Sequence, residues 1–330
     1  MRDWLRGHAG ETRLLIVLAV LVVVLGLASP TFLTLGNLTS LLNNNAVNVI
    51  WAVGLLVVLI SGGIDISFAV AASVVQYLCV SAFKVVGGGN WALGLLFAAA
   101  FGIGLGFINA ALIRAFNIIS IVVTIATFNA FFGLLMFFTS GRFVYDLPDW
   151  WTTHVDLLEN LTSNASADLG LSVAVMAAAM AATWLLISRT TIGRQLYAFG
   201  DNAEGARRAG VAVGRMTFIA FGWMGMMAGI GGLLQVNIVQ EVVPNALIGR
   251  ELDVLAAVVL GGARLGGGRG SVLGCFLGVL LVAITQNGLN LLGVSPYAFK
   301  MVIGVTILIA ISASNFEFSA LTSSPKGAAR

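Results

Sequence analysis

The sequence contains very little charge. Only 9% of its 330 residues are Asp, Glu, Lys or Arg, whereas 59% are hydrophobic and the mean hydropathy is +1.00. Soluble domains carry charged side chains at about a quarter of their positions, so this composition excludes a soluble globular domain. The chain is a membrane protein.

Cysteine, histidine and proline are also scarce. The two cysteines, Cys79 and Cys275, lie inside apolar runs, which excludes a disulfide scaffold and a cysteine metal site. His8 and His154 stand in polar flanks far apart in the sequence, and we interpret both as solvent-facing, so no metal site is predicted. Five prolines against forty glycines exclude a collagen-like or proline-rich chain, and so much glycine in an apolar sequence indicates closely packed transmembrane helices.

Catalytic and nucleotide-binding motifs are missing as well. The three lysines, Lys84, Lys300 and Lys326, are followed by Val, Met and Gly, so the chain cannot form a phosphate-binding loop ending in Gly-Lys-Ser/Thr. No pair of carboxylates stands at helical spacing within an apolar stretch, and the histidines and cysteines are too isolated to complete a catalytic set. We therefore expect no enzymatic activity and no cofactor bound by this chain.

Apolar stretches long enough to cross about 30 Å of hydrocarbon recur along the sequence. We identify about ten, which predicts an all-α integral membrane protein, a polytopic helix bundle forming a single transmembrane domain over residues 1–330. The eighth stretch is too short for a full crossing and begins with Glu251 and Asp253, so a broken or a re-entrant helix is predicted near residues 251–265. The ten stretches are Leu14–Ala28, Ala46–Ser61, Ile66–Phe83, Trp91–Ile113, Ile118–Phe138, Leu171–Ile187, Met216–Leu234, Val254–Leu260, Val272–Leu292 and Pro296–Ser312.

Basic residues are distributed unevenly between the two sides of such a bundle. If the N-terminus is cytoplasmic and each helix crosses once, thirteen of the seventeen basic residues fall on the inner side and four on the outer side. This is the asymmetry expected from the positive-inside rule, so both termini are predicted to be cytoplasmic. The main outer loop then covers residues 139–170, and the long inner loop covers residues 188–215.

Ionisable residues within the spans are almost absent, which argues against an ion-coupled carrier. Asp65 lies at the inner end of the second span, where it either caps the third helix or has a direct role. Glu251 and Asp253 open the eighth stretch, where acidic residues are also favourable at a helix N-terminus.

Neutral polar residues do occur within the spans, and they either hydrogen-bond between helices or line a solute path. A path for a hydroxyl-rich neutral solute needs such groups, because carboxamides donate and accept hydrogen bonds without the cost of a buried charge. Gln235 belongs to this polar group. The residues predicted to line the path are Asn109, Asn129, Gln286, Asn287 and Asn290.

Glycines recur at helical spacing inside several spans. Gly102 and Gly106 form a small-xxx-small pair, and Gly225 and Gly229 form another, which allows helix backbones to approach closely. A dinucleotide-binding fingerprint is excluded for the first pair, because the next residue is Phe and no strand precedes it. The same packing role is predicted for Gly270, Gly274 and Gly278.

The inner loop contains a pattern typical of a short capped helix. Asp201 or Asn202 can serve as the N-cap, and Gly210 can end the helix. An acidic residue falls in the first turn and two arginines fall in the last, which complements the helix dipole. A helix of about two turns is marginal alone in water, so either the bundle or a partner must hold it. The docking residues predicted here are Asp201, Asn202, Glu204, Arg207, Arg208 and Gly210.

Four long motifs follow one another along the chain. They are SGGIDIS at 61–67, GDNAEGARRAGV at 200–211, ELDVLAAVVLGGARLGGGRGSVLG at 251–274 and QNGLNLLGVSPY at 286–297. Together they resemble the permease subunits of bacterial sugar ABC transporters, the ribose-type branch of the binding-protein-dependent importers. The motif residues singled out by this resemblance are Gly62, Gly63, Asp65, Ser67, Glu251, Gly261, Gly262, Gly267, Gly268 and Gly270.

The resemblance implies a permease in the bacterial inner membrane that imports a monosaccharide, ribose or a similar pentose or hexose, by alternating access. It implies three protein partners: a second permease copy, identical or different, a cytoplasmic ATPase that binds ATP and Mg, and a periplasmic sugar-binding protein. It also implies that the loop helix from Glu204 to Gly210 contacts the ATPase. No nucleic-acid partner is expected.

Two departures and several alternatives accompany the resemblance. Phe68 and Ala69 replace a glycine-containing turn that is common in the family, and Arg208-Ala209-Gly210 replaces the more usual Leu-Ser-Gly. Related permeases carry autoinducer-2 or polyols, so these substrates are alternatives to a monosaccharide. From another functional class, a secondary carrier or a facilitator acting alone is the alternative.

Overall fold

The computed structural model describes residues 9–153, 155–158 and 169–295, together with the single positions 298, 301, 304 and 305. Over these residues the chain forms twelve helices and one two-stranded antiparallel sheet, which confirms the all-α class. The helices are α1 Ala9–Ala28, α2 Leu35–Ile60, α3 Phe68–Val86, α4 Trp91–Phe116, α5 Ser120–Thr139, α6 Asp149–Thr152, α7 Leu171–Arg189, α8 Thr191–Asp201, α9 Ala203–Arg208, α10 Val213–Val239, α11 Arg250–Leu260 and α12 Val272–Leu291; the strands are β1 Asp156–Leu158 and β2 Leu169–Gly170.

Eight helices of the described ranges are long and apolar enough to cross a membrane: α1 to α5, α7, α10 and α12. They correspond to the first seven and the ninth of the predicted stretches. The eighth stretch forms α11, and the tenth, Pro296–Ser312, lies almost entirely outside the described residues. A polytopic membrane protein is thus confirmed.

Hydrogen bonds between loops define one end of the bundle, here called the α8 end. Gly268 N–H donates to the carbonyl of Ile60 at 2.9 Å, and Ile64 N–H donates to Ser120 Oγ at 2.9 Å. The hydroxyl of Tyr197 in α8 donates to the carbonyl of Gly270 at 2.8 Å. The end of α2, the start of α5, α8 and the loop after α11 therefore lie together.

The opposite end, here called the loop end, is covered by residues 140–153. Val144 and Val242 exchange backbone hydrogen bonds of 3.0 Å, which joins this loop to the segment after α10. The indole N–H of Trp151 in α6 donates to the carbonyl of Leu233 at 2.8 Å. This side chain is fully buried, so α6 anchors the loop on α10.

The helices α2 and α10 form the centre of the bundle. Both are buried along most of their length, which explains why α2 is apolar on nearly every side in its second half. Trp51 crosses between them and donates its indole N–H to the carbonyl of Ala228 at 3.3 Å. The helix α1, in contrast, lies at the margin of the bundle against α12.

Glycine pairs bring α4 and α10 into backbone contact, as the spacing predicts. A Cβ built on Gly102 would overlap the carbonyl of Gly225, and a Cβ on Gly225 would overlap that of Gly102. Gly106 and Gly229 face the partner backbone in the same way. Such close approach replaces side-chain interdigitation by direct backbone packing, which is favourable between helices in a membrane.

The helix α11 is half of a broken crossing. Its eleven residues span about 16 Å, against about 30 Å of hydrocarbon. It ends at the α8 end, where Gly261 packs against Gly274 of α12, whereas the preceding helix α10 ends at the loop end. The irregular residues 240–249 therefore complete the crossing, and of the two predicted alternatives the broken helix is found.

Candidate functional site

A polar cavity lies where α11 begins, between α2 and α12. Five of its lining side chains are polar or charged, and its volume is about 30 Å³, room for about two water molecules. Asn45 and Asn48 stand near the middle of α2, so the cavity lies at mid-depth of the bundle. The polar lining residues are Asn45, Asn48, Arg250, Asp253 and Gln286.

A second cavity, of about 130 Å³, lies on the other side of Arg250. Its polar lining comes from Gln76 of α3, Gln235 of α10 and Glu241 of the irregular segment. Non-helical backbone at membrane depth is tolerated where it lines such a cavity, because the space can hydrate its polar groups. Arg250 thus forms part of the wall of both cavities, and its Nη1 donates to Asn48 Oδ1 at 3.4 Å.

The start of α11 combines charges of both signs. Gly249, with φ of 92°, turns the chain into the helix, and its N–H donates to both carboxylate oxygens of Glu251 at 3.0 Å. The buried Glu251 therefore serves the helix start, where a negative charge is favourable. Asp253 lines the first cavity beside Arg250, so that cavity holds a cation and an anion on one helix.

Glycines form a junction between the bundle and α8. A Cβ on Gly200 would overlap the carbonyl of Ile60 and lie 2.7 Å from the nitrogen of Gly268, so only glycine fits there. Gly62 and Gly267 complete this contact, and both have positive φ angles, 82° and 87°. The residues Ile60, Gly62, Gly200, Gly267 and Gly268 are called the glycine junction below. It joins the ends of α2 and α8 to the loop that follows α11.

The remaining motif glycines surround this junction. Gly261 ends α11 against Gly274, and Gly262 follows it with φ of 91°. Gly270 has φ of 150° and offers its carbonyl to the Tyr197 hydroxyl at 2.8 Å. Burial raises the pKa of that tyrosine above its ordinary value.

The segment SGGIDIS forms a closed turn ahead of α3. The buried Asp65 accepts hydrogen bonds from Ser67 N–H at 2.8 Å and Ser67 Oγ at 2.7 Å. Asn109 of α4 donates to Ser67 Oγ at 2.8 Å. Burial raises the pKa of Asp65, while these hydrogen bonds oppose the shift. Asp65 thus bonds the residue just before the helix rather than capping the helix itself, and Gly63 precedes this turn against Phe221.

The inner loop contains two helices, α8 and α9. Asn202 is the N-cap of α9, since its Oδ1 accepts from Gly205 N–H at 2.8 Å, while Asp201 ends α8 beside Gly268. Glu204 pairs with Arg207 at 2.5 Å and with Arg208 at 3.0 Å. Gly210, with φ of 85°, follows the helix end.

Comparison with known proteins identifies the family. The chain matches, over residues 37–311, the family described as branched-chain amino acid transport system / permease component. The chain belongs to this family of permeases. The ribose import permease RbsC of Escherichia coli is 32% identical over 313 residues, covering 92% of this chain and 94% of that protein. RbsC of Bacillus subtilis is 33% identical over 296 residues and 89% of each chain, and the galactose/methyl galactoside import permease MglC of Escherichia coli is 26% identical over 319 residues, covering 94% and 95%.

The resemblance to ribose-type permeases that the motifs indicate is thereby confirmed, and the protein is a multi-pass inner-membrane permease of the ABC importer class. No solved structure gives a significant match.

In this permease, one of the five predicted path residues lines the polar cavity. This residue is Gln286. Asn109 is buried against Ser67, and Asn129 faces outward from α5 and bonds the Ile125 carbonyl of its own helix at 2.8 Å. Asn287 exchanges hydrogen bonds of 3.0 and 2.9 Å with Asn37, and Asn290 is exposed. These four therefore serve local packing or the bundle surface rather than this cavity.

Sequence reasoning missed most of the cavity. Asn45, Asn48 and Gln76 lie on spans whose order along the chain does not reveal which faces meet. Counting ten complete crossings places Arg250 among the four basic residues on the outer side, because the count treats the eighth stretch as a full span. A signal for the site did exist in the permease sequence: polar residues recur in α2, and Arg250 directly precedes the acidic pair of α11.

Proposed function

We propose that this permease imports a neutral, hydroxyl-rich solute, a monosaccharide such as ribose or a similar pentose or hexose, driven by a separate ATPase. The observation that carries the proposal is the pair of polar cavities on either side of Arg250. Their carboxamides, from Asn45, Asn48, Gln76, Gln235 and Gln286, both donate and accept hydrogen bonds, as sugar hydroxyls require.

The path follows from the broken crossing. The second cavity is bounded by residues 240–249 towards the loop end, and the first is bounded by α11. The two cavities are separate in this conformation, and Arg250 lies in the wall of each. The first cavity, with a volume of about 30 Å³, is too small to hold a sugar. Transport therefore needs a conformational change that moves Arg250 and opens the first cavity, as alternating access supplies.

The glycine junction provides a mechanical route for such a change. A displacement of α9 is passed through Asn202 and Asp201 to Gly200, which contacts both Ile60 and Gly268 in the backbone. Because Gly200 contacts both backbones without an intervening side chain, we expect movement of α8 to displace the end of α2 together with the loop that follows α11. These two helices carry Asn48 and Arg250.

The partners follow from the same argument. The chain has no phosphate-binding loop and belongs to a family of transporter permeases, so in this proposal a separate cytoplasmic ATPase holding ATP and Mg supplies the energy through α8 and α9. In this proposal the α8 end and both termini face the cytoplasm. A periplasmic sugar-binding protein delivers the solute at the loop end, and a second permease copy completes the transporter.

A zwitterionic amino acid with an apolar side chain is the second candidate substrate. The family description names branched-chain amino acids, and the first cavity places Arg250 and Asp253 together. A cation beside an anion matches the carboxylate and ammonium of a zwitterion. The relatives whose names specify a sugar, and the neutral amides around the pair, favour the sugar.

Uptake into proteoliposomes tests the proposal. The permease is reconstituted with its ATPase and binding protein, and the uptake of labelled ribose, galactose, a polyol and leucine is compared. We expect uptake of one sugar that requires internal ATP and resists a proton ionophore. ATP-independent uptake that the ionophore abolishes would identify a secondary carrier, and uptake of leucine alone would identify the amino acid class.

A further inference from the structure

A long apolar groove lies on the outer surface of the bundle between α3, α4 and α5. Its volume is about 570 Å³, and it is separate from both polar cavities. The lining is almost entirely aliphatic and aromatic along its length. Representative residues are Val74 and Leu78 of α3, Leu105 of α4, and Phe131, Leu134 and Phe138 of α5.

The groove extends from mid-depth to one membrane interface. Phe131 lies near the middle of α5, where it packs against Val70 and Ala71, and Thr139 is the last residue of that helix. These two positions are eight residues apart, which corresponds to about 12 Å of helix. An extended acyl segment can therefore lie along α5 from the interface at the loop end towards the bilayer centre.

A cation marks the interfacial end. Arg142 lines the groove three residues beyond α5, and its carbonyl accepts a hydrogen bond from the Tyr77 hydroxyl at 2.6 Å. That bond holds the backbone of residue 142 at the rim. Within the described ranges Arg142 forms no ion pair, and Asp146 on the same loop is paired with Lys84 at 3.3 Å. Among the described residues, none that lines the groove is acidic.

The aromatic residues around Arg142 place it at headgroup level. Phe138, Phe143 and Tyr145 are all exposed, and the last two pack edge to face with ring centroids 6.3 Å apart. Aromatic side chains are enriched where hydrocarbon meets water. An arginine within such a group lies at the level of the lipid phosphates, where a guanidinium can donate two parallel hydrogen bonds to one phosphate.

We propose that this groove is a binding site for one anionic phospholipid, with an acyl chain along α5 and the phosphate on Arg142. In the orientation proposed above, the lipid belongs to the outer leaflet. An acyl chain gains no hydrophobic energy by leaving other lipids for an apolar groove. Selectivity must therefore come from the headgroup charge at Arg142, and phosphatidylglycerol should be preferred over phosphatidylcholine.

Photolabelling of the purified full-length permease tests this site. Phosphatidylglycerol and phosphatidylcholine, each carrying a diazirine within an acyl chain, are added to the protein in mixed micelles, and labelled peptides are mapped by mass spectrometry. We expect the phosphatidylglycerol probe to label residues 131–142 preferentially. Arg142→Gln should reduce that labelling about five-fold, the equivalent of about 1 kcal/mol for one basic residue at an anionic surface.

Matched variants separate the groove from the rest of the surface. Leu78→Trp narrows the groove and should reduce labelling of α5 by both lipids, whereas Leu93→Trp should not, although both leucines are 40% exposed. Arg114→Gln, at the α8 end, should leave labelling unchanged. Size-exclusion profiles like that of the wild type establish that the variants are folded.

Three outcomes would overturn the proposal. The first is equal labelling of the groove by the two lipids, and the second is labelling that Arg142→Gln does not change. The third is disulfide cross-linking between two chains that carry Leu134→Cys, combined with protection of α5 from both lipids. That last result would assign the groove to a second permease copy.

Discussion

The N–H of Gly268 donates a 2.9 Å hydrogen bond to the carbonyl of Ile60, and this bond joins the last residue of α2 to the loop that follows α11. Gly200 of α8 lies against both groups, closely enough that no Cβ fits. Three segments far apart in sequence thus meet through backbone alone. The contact links the inner loop to the two helices that carry Asn48 and Arg250.

Gly200→Ala should weaken the glycine junction. The added methyl group overlaps the Ile60 carbonyl, and overpacking of this kind costs about 1–3 kcal/mol. We therefore expect a lower thermal unfolding midpoint by scanning fluorimetry. Gly36→Ala in α2 is the control, because its Cβ would meet nothing within 4 Å. An equal midpoint for Gly200→Ala and the wild type would mean that the junction relaxes without cost.

Asn202→Ala should destabilise α9 because it removes the N-cap bond to Gly205 N–H. Loss of such a cap costs about 1 kcal/mol, so amide exchange in residues 203–208 should become about five-fold faster. Asp201→Ala should have no comparable effect on these amides, because Asp201 ends the preceding helix. Hydrogen–deuterium exchange with peptide resolution distinguishes the two, and equal acceleration by both would contradict the assignment.

Charge reversal at Arg207 and Arg208 should uncouple ATP hydrolysis from uptake. Both guanidiniums pair with Glu204 and are otherwise exposed, so glutamates there break the pairs and place negative charge at the end of α9. The ratio of solute imported to ATP hydrolysed is measured in proteoliposomes, where insertion should be unaffected. Replacement of both residues by Lys keeps the charge and should retain most coupling. Unchanged coupling in the doubly reversed variant would show that the ATPase docks elsewhere on the permease.

Arg250→Met should strongly reduce transport while the fold remains. Hydrogen bonds to charged groups contribute roughly 1.5–3 kcal/mol, so we expect uptake to fall about ten-fold or more. Asn129→Ala is the control, since its amide bonds its own helix on the outer surface of the bundle. Asp253→Asn should spare a neutral sugar more than a zwitterion. Wild-type uptake by the Arg250→Met variant would show that Arg250 is not part of the solute path.

Gly225→Ala should disrupt the contact between α4 and α10. The new Cβ overlaps the Gly102 carbonyl, and the two helix backbones must separate to admit it. We expect a lower unfolding midpoint and a lower yield of monodisperse protein from the membrane. Gly104→Ala, on the open side of α4, should preserve both values or raise the midpoint slightly, since alanine favours a helix. Equal behaviour of the two variants would contradict the packing argument.

Local pattern predicts much of this fold. Hydropathy locates every long helix of the described ranges, and the spacing of Gly102 and Gly106 predicts their backbone contact, because both signals depend on one helix face. The capped helix of the inner loop is predicted for the same reason, apart from the choice of Asn202 over Asp201. The adjacent helix α8 was missed because its short amphipathic pattern follows directly on a long span.

The cavity could not be predicted in the same way. Asn48 and Gln286 lie far apart in sequence, and their meeting depends on where α11 begins within the membrane. By its hydropathy alone, α11 resembles a weak complete span. Such a span would begin at the membrane surface, and Arg250 would then lie there. Polar residues such as Asn287, which pairs with Asn37, have the same local pattern as those that line the cavity.

The half-length of α11 also constrains how the protein is assembled. Arg250, Glu251 and Asp253 each disfavour partition into lipid, by about 2.5–3.5 kcal/mol for Arg or Asp at the centre of a spanning helix, and eleven residues are too few to offset this. The segment therefore cannot insert by its own hydrophobicity as it leaves the translocation machinery. It must enter a groove already formed by α2 and α3 and be closed in by α12, which makes it a late step in biogenesis.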